Sequence, residues 1–325
     1  MFHRRPKLLA SVSVSVSIIR RKCLTLCTNK FDMRKVLSIL CLAMLLPACA
    51  PKVGQVVTDS IQSEILGAEV KYNVYLPYGF DKSDKQYPVV YLLHGLSDDY
   101  TAWVDRGHMK EVADQLIGRG EAQEMVIVMP NAGGPDTHNT WNGYFNMPWW
   151  RYHDFFFQEF LPAVEAKYRA GGDKEHRAIM GLSMGGGGSA VYSQRHPDMF
   201  SSCYAMSGWM DNKMDEVWPL DAPKDCLYYV ANAVHENSAL DYVDNADEAT
   251  LEALRSVQWF IDCGDDDFIF DLSVSLYQKM RDKGVKAEFR VRDGVHNWEY
   301  WNQSLRQALP FASEHFRPAL AGAGN

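Results

Sequence analysis

Gly181-Leu182-Ser183-Met184-Gly185 spells G-x-S-x-G, a serine with glycine two places to either side. A serine in that pattern is a candidate nucleophile for acyl chemistry, presented on a sharp turn between a strand and a helix. The setting fits. Residues 177–180 read as a short buried strand, and residues 186–193 read as the start of a helix. Backbone at such a turn is strained, so its neighbours must be small. Gly181 and Gly185 supply that room.

A hydroxyl is a weak nucleophile until a base takes its proton and a third group orients the base. With this turn, the acid follows the serine in the chain and the histidine follows the acid. Residues 257–264 read as a strand ending in a turn, after which come Asp265, Asp266 and Asp267. Residues 287–291 read as the last strand, residues 292–295 as its loop, and His296 comes next. His315, the other histidine beyond the acids, sits near the end of a helical pattern. His296 is therefore the expected base. His196 ends the helix after the turn and reads as a helix C-terminal cation. The three aspartates leave the acid open at this level.

Acyl transfer also needs donors for a developing oxyanion. One is expected from the backbone N–H of Met184, directly after the serine. The second is expected from the loop after the third strand. Residues 87–93 form a nearly continuous apolar run that ends in His94-Gly95-Leu96, which makes the Leu96 N–H the natural second donor. His94 reads as a packed histidine shaping that loop.

These segments carry a resemblance. Leu92-Leu93-His94-Gly95, Gly181-Leu182-Ser183-Met184-Gly185-Gly186, Cys263-Gly264-Asp265-Asp266-Asp267 and His296-Asn297-Trp298-Glu299-Tyr300-Trp301 occur in that order. The chain resembles the esterase D, feruloyl esterase and acetylxylan esterase group of α/β-hydrolases. It is also similar to the antigen 85 mycolyltransferases in Leu96, Met184 and the His-x-Trp-x-x-Trp ending. The similarity runs from about Ser60 to Phe316, and includes Val74-Tyr75-Leu76-Pro77 and residues 160–169. In this group the acid follows Gly-x-x, so the resemblance places it at Asp267. It implies a Ser183–His296–Asp267 serine esterase acting on short or aromatic acyl esters, with carbohydrate acetyl or feruloyl esters as the expected substrates. Acyl transfer to a sugar hydroxyl is the rival enzyme reading, and a carbohydrate-binding surface protein the non-enzyme one.

The elements that must position these residues alternate. Strands are expected at residues 89–93, 125–129, 177–180, 203–207, 257–263 and 287–291, with one or two more within 55–79. Helices are expected at 108–119, 150–169, 184–196, 269–283 and 298–316. That alternation predicts an α/β-hydrolase fold: a mostly parallel central sheet with helices on both faces. Two long connections, 130–150 and 208–256, follow strand ends where such sheets bind ligands. Their aromatic residues, Trp141, Trp149 and Trp209 above all, are candidate substrate contacts. Asn131, Asp136, His138, Asn139, Asn142, Asp211 and Asn212 predict a wet lining there.

Charge narrows the partners. Nine of the 33 Lys and Arg but one of the 41 Asp and Glu lie in residues 1–48. The remainder carries 24 basic and 40 acidic residues, a net charge of −16. Such a chain repels nucleic acid and anionic membranes. No glycine loop reads as a phosphate cradle, so no cofactor is expected. No metal site is expected either, because no His or Glu stands beside the aspartate run to complete a shell.

The first 48 residues read as a leader. Met33-Arg34-Lys35 is a basic start, Val36 to Leu46 is an apolar stretch of eleven residues, and Leu46-Pro47-Ala48-Cys49 resembles a bacterial lipobox. Eleven apolar residues are too few to span a bilayer but suit a signal peptide. The expectation is an exported lipoprotein, acylated on Cys49, with translation starting at Met33. Residues 49–57 are then a tether and 58–318 one catalytic domain, held to the membrane by the lipid alone. Cys203 and Cys263, on expected strands, read as buried small residues.

Overall fold

The structure, a computed structural model, describes residues 52–134, 140–213 and 223–317. The leader, Cys49, Asp136, His138 and Asn139 lie outside the described residues. Strand β1 (Gln55–Ser63) opens the fold and pairs antiparallel with β2 (Ala68–Leu76). Residues 55–57 of the expected tether are thus rungs of a sheet.

Strand β3 (Val89–Leu93) is wholly buried. Its alternate residues reach opposite faces, as the two-residue period of a strand requires. Val89, Tyr91 and Leu93 enter one apolar core, and Val90 and Leu92 enter the other. Strands β4 (Val126–Pro130), β7 (Arg177–Leu182) and β8 (Ser202–Met206) are likewise apolar along their length. A sheet buried on both faces demands that composition. With β9 (Gln258–Gly264) and β10 (Ala287–Arg292) they form an eight-stranded sheet in the order β1-β2-β4-β3-β7-β8-β9-β10. β2 meets β4 antiparallel, and all later pairs are parallel.

Helices cover both faces. Helices α1 (Ala102–Asp105), α2 (Met109–Gly118) and the last helix, Trp298–His315, pack in the core that holds Val90 and Leu92. The other core takes α3 (Tyr152–Phe155), α4 (Leu161–Tyr168), the elbow helix α5 (Met184–Arg195) and the segment beyond β8. The expected helix 150–169 starts later and is interrupted. Trp150 instead joins a two-stranded ribbon, β5 (Asn146–Met147) with β6 (Trp150–Arg151), and a π-turn at Phe156–Phe160 separates α3 from α4. Through this stretch Phe156 meets Tyr91 and Phe160 meets Tyr72, both edge to face. These aromatic contacts hold a turn that local propensity disfavours.

The connection after β8 is not an extended loop. It contains α6 (Cys226–Glu236), α7 (Ala239–Asp244) and α8 (Glu248–Arg255). Each begins where a side chain caps it: Asp225, Ser238 and Asp247 accept the N–H of Tyr228, Asp241 and Thr250. Those capping residues were a readable helix-start signal. Helix α9 (Phe270–Asp282) and α10 (Trp298–His315) complete the fold. Among the described residues no helix is long and apolar enough to cross a membrane.

Candidate active site

Ser183 stands between β7 and α5 with φ 53° and ψ −119°. Such backbone costs on the order of 1–3 kcal/mol and persists only when its surroundings hold it. Here they do. The Ser183 N–H donates to Met206 O at 2.9 Å, and its carbonyl accepts from Gly187 N–H and Trp209 N–H at 3.0 and 2.9 Å. The flanking glycines are required by space. A Cβ on Gly181 would stand 2.5 Å from Gly185 O, and one on Gly185 would stand 2.5 Å from His94 O.

His296 comes from the loop after β10 and Asp267 from the loop after β9. His296 Nε2 lies 2.9 Å from Ser183 Oγ. Its Nδ1 lies 2.9 and 2.8 Å from the two oxygens of Asp267. A carboxylate only accepts, so Nδ1 carries the proton and Nε2 is left to accept from the serine. Asp267 is buried, and burial works to raise its pKa. Hydrogen bonds from His296, the Ile269 N–H and Ser207 outweigh that and hold the carboxyl below its ordinary range. It is therefore charged near neutral pH.

Asp265 and Asp266 serve the loop instead. Asp265 Oδ1 accepts the Gly294 N–H at 3.1 Å, and the Asp266 N–H donates to Gly294 O at 3.1 Å. They tie the aspartate turn to the segment that presents His296. Both side chains are exposed beside that of Asp293.

The two residues expected to supply the oxyanion donors lie beside Ser183 in different ways. Leu96 follows β3 and lines the cavity that holds Ser183 and His296. Met184 is the first residue of α5. Among the described residues neither N–H has a protein acceptor. His94 is packed, as its sequence context predicts. Its Nδ1 bonds Gly95 O at 2.8 Å and its Nε2 accepts the Ala132 N–H at 3.0 Å. Burial lowers its pKa, so it is neutral and fully used in shaping the loop.

His196 departs from its expected role as a cation. It stacks on His153 with 3.0 Å between their Nε2 atoms. Burial first, then the neighbouring His153, pushes its pKa down to about 4. A half-buried imidazole facing another cannot hold a proton near neutrality.

The cavity in front of Ser183 has a volume of about 610 Å³. Leu96, Leu182, Trp209, Phe268, Trp298 and Trp301 give it a largely apolar and aromatic wall, with Asp98, Arg106 and Asn212 as polar points. Of the polar residues expected to wet this lining, Asn212 reaches the cavity, while Asp136, His138 and Asn139 lie outside the described residues. Asn131 and Asn142 are buried, and Asp211 lies 3.6 Å from His235. Two of the three candidate tryptophans also fall elsewhere. Trp141 packs on the core, while Trp149 is half exposed and meets Tyr229 edge to face. Only Trp209 of the three lines the cavity. The missed contacts, Phe268 and Trp298, immediately follow the catalytic candidates Asp267 and His296-Asn297. Adjacency to those motifs was the signal that could have found them.

Comparison with known proteins agrees with this architecture. Residues 63–312 match the model of the Esterase family, described as "Putative esterase". A solved ferulic acid esterase is 51% identical, covers 82% of this chain and all of its own, and superposes with a TM-score of 0.78. An endo-1,4-beta-xylanase/feruloyl esterase of Xylanibacter ruminicola is 26% identical over 78% of this chain and 31% of its own length. The diacylglycerol acyltransferase/mycolyltransferase Ag85B of Mycolicibacterium smegmatis is 24% identical over 68% of this chain and 75% of its own. The chain spans less than a third of the first curated relatives it matches. The match over most of the chain, on a sheet that brings Ser183, His296 and Asp267 together, shows that this α/β-hydrolase belongs to the Esterase family.

Proposed function

We propose that the protein is an exported serine esterase that hydrolyses short or aromatic acyl esters on carbohydrate, feruloyl or acetyl esters in particular. The observation that carries this reading is the Ser183–His296–Asp267 hydrogen-bonded chain opening into an aromatic-walled cavity. Likeness to a solved ferulic acid esterase over that enzyme's whole length supports the substrate class.

The geometry describes a two-step reaction. Ser183 Oγ attacks the ester carbonyl as His296 Nε2 takes its proton. The Leu96 and Met184 N–H groups stabilise the oxyanion, which is where such sites gain most. His296 then protonates the leaving alcohol, leaving an acyl-serine. A water, deprotonated by His296, attacks that acyl group and releases the acid. Asp267 stays charged throughout and stabilises the imidazolium.

The aromatic wall supports a reading in which it receives the acyl side of the ester. Trp209→Ala and Trp298→Ala should each raise KM for a methyl ferulate or feruloyl-sugar ester by about tenfold, the loss of one ring's contact area. KM for p-nitrophenyl acetate, too small to reach the wall, should change little. Equal losses on both substrates would show that the rings are structural. Acylated sugar as the dominant product in excess acceptor would reassign the protein as a transferase.

Export rests on the basic start, the short apolar run and Cys49. Cys49→Ser should move the protein from the membrane fraction to the soluble one, since the lipid chains are the anchor. Mass spectrometry finding an unmodified N-terminus beyond Cys49 in the wild type would replace the anchored form with a secreted one.

A further inference from the structure

Side chains from three elements converge on one carboxylate, that of Asp262 in β9. Asp262 is fully buried and takes no part in the reaction described above. Its Oδ2 accepts the Tyr204 hydroxyl from β8 at 2.7 Å. Its Oδ1 accepts the Tyr300 hydroxyl from α10 at 2.5 Å. Arg292, the last residue of β10, donates from Nη2 to Oδ2 at 3.1 Å. Each carboxylate oxygen can accept more than one hydrogen bond, so all three donors are served. A charge buried this deeply is tolerated only when it is paired and hydrogen-bonded, and Asp262 is both.

Two of those donors flank the base. Residues 293–297 form the loop between β10 and α10, and His296 lies in it. Arg292 stands directly before this loop, and Tyr300 lies in the first turn of the helix directly after it. The two are also tied to each other. The Arg292 guanidinium lies over the Tyr300 ring, 4.3 Å from its centroid, and its Nη2 donates to Ser304 Oγ in α10 at 2.5 Å. The loop packs on the same ring, since a Cβ on Gly294 would stand 2.5 Å from it. Asn297 Oδ1 accepts the Tyr300 N–H at 3.0 Å, which fastens the end of the loop to the helix.

We propose that Asp262 is a positioning residue for acyl transfer: its carboxylate clamps both ends of the His296 loop, through Arg292 before it and Tyr300 after it. This rests on the esterase reading above. His296 must hold Nε2 2.9 Å from Ser183 Oγ, and Asp267 fixes only the other ring nitrogen. The backbone that carries the imidazole therefore has to be held from elsewhere. A displacement of about 1 Å at a reacting group can cost on the order of a hundredfold in rate. Tyr204 grips the same carboxylate from β8, outside the loop and its flanking residues.

Two matched substitutions test the clamp. Tyr300→Phe and Tyr204→Phe each remove one hydroxyl from the same carboxylate and leave a ring in place. Both should lower the melting temperature. On p-nitrophenyl acetate, too small to reach the aromatic wall, Tyr300→Phe should also lose about tenfold in kcat, with KM changed by less than about twofold. Its downfield His296 Nδ1–H proton resonance should broaden. Tyr204→Phe should stay within about twofold of wild type in kcat and keep that resonance sharp. Asp262→Asn weakens both ends of the loop and should be slower than Tyr300→Phe. Adding Tyr300→Phe to it should cost little more, because both changes release one clamp. A Tyr300→Phe enzyme as fast as wild type would overturn the proposal. So would a Tyr204→Phe enzyme as slow as Tyr300→Phe, since the loss would then be general loosening of the fold. If Asp262→Asn lost its native melting transition, the two tyrosine variants would decide alone. Covalent labelling of wild-type Ser183 by a fluorophosphonate in the same preparations separates the two readings. Wild type that neither labels nor hydrolyses esters fails the esterase reading itself, whatever Asp262 does.

Discussion

Replacing Ser183 with alanine is expected to abolish ester hydrolysis and fluorophosphonate labelling together while leaving the fold intact. The loss should be on the order of 10⁴–10⁶ in kcat, the range seen when a member of such a triad is removed. Among the described residues Ser183 is the hydroxyl that pairs with His296 Nε2. His94, the nearby imidazole on the oxyanion loop, spends both ring nitrogens on backbone partners. The fold should survive because the elbow is held by its backbone. The N–H and carbonyl of residue 183 keep their bonds to Met206, Gly187 and Trp209 whatever the side chain. The check is a burst and steady-state assay with p-nitrophenyl acetate, beside a thermal melt. A labelled Ser183→Ala protein would place the nucleophile elsewhere.

The second large effect separates the three aspartates. Asp267→Asn should cost on the order of 10⁴ in kcat, whereas Asp266→Asn should remain near wild type. The reason is the tautomer. Asp267 accepts the Nδ1 proton of His296, which leaves Nε2 free to take the proton of Ser183. An asparagine in that place can present its amide N–H₂ to Nδ1. The imidazole proton then moves to Nε2, and the base can no longer accept. Asp266 contributes its backbone N–H to Gly294, and that bond is blind to the side chain. Asp265→Asn should fall between them, since an amide oxygen can still accept the Gly294 N–H that Asp265 holds. Measured kcat for the three variants gives the order directly. An Asp266→Asn enzyme as slow as Asp267→Asn would displace the acid by one residue.

The catalytic candidates were legible because each sits in a short, rigid context with a strong local signal. G-x-S-x-G names its own turn, since only glycine fits at 181 and 185. His296 was reached by order along the chain, and Asp267 by resemblance once spacing left three acids open. The sheet was legible for a similar reason. Strands buried on both faces must be apolar throughout, and β3, β4, β7 and β8 are. Strand β1 was less so, because its half-exposed residues blur into the supposed tether.

The substrate wall was not legible in the same way. Trp141, Trp149 and Trp209 look alike as aromatic residues on long connections, yet only Trp209 reaches the cavity. Which ring faces Ser183 depends on how the ends of β3, β8, β9 and β10 converge, and no local pattern records that. The sequence by itself determined the candidate nucleophile through glycine sterics, the candidate base through order along the chain, and the sheet that carries them through strand periodicity. Only the tertiary structure decided which aromatic rings line the cavity, because that choice rests on contacts between segments far apart in the chain.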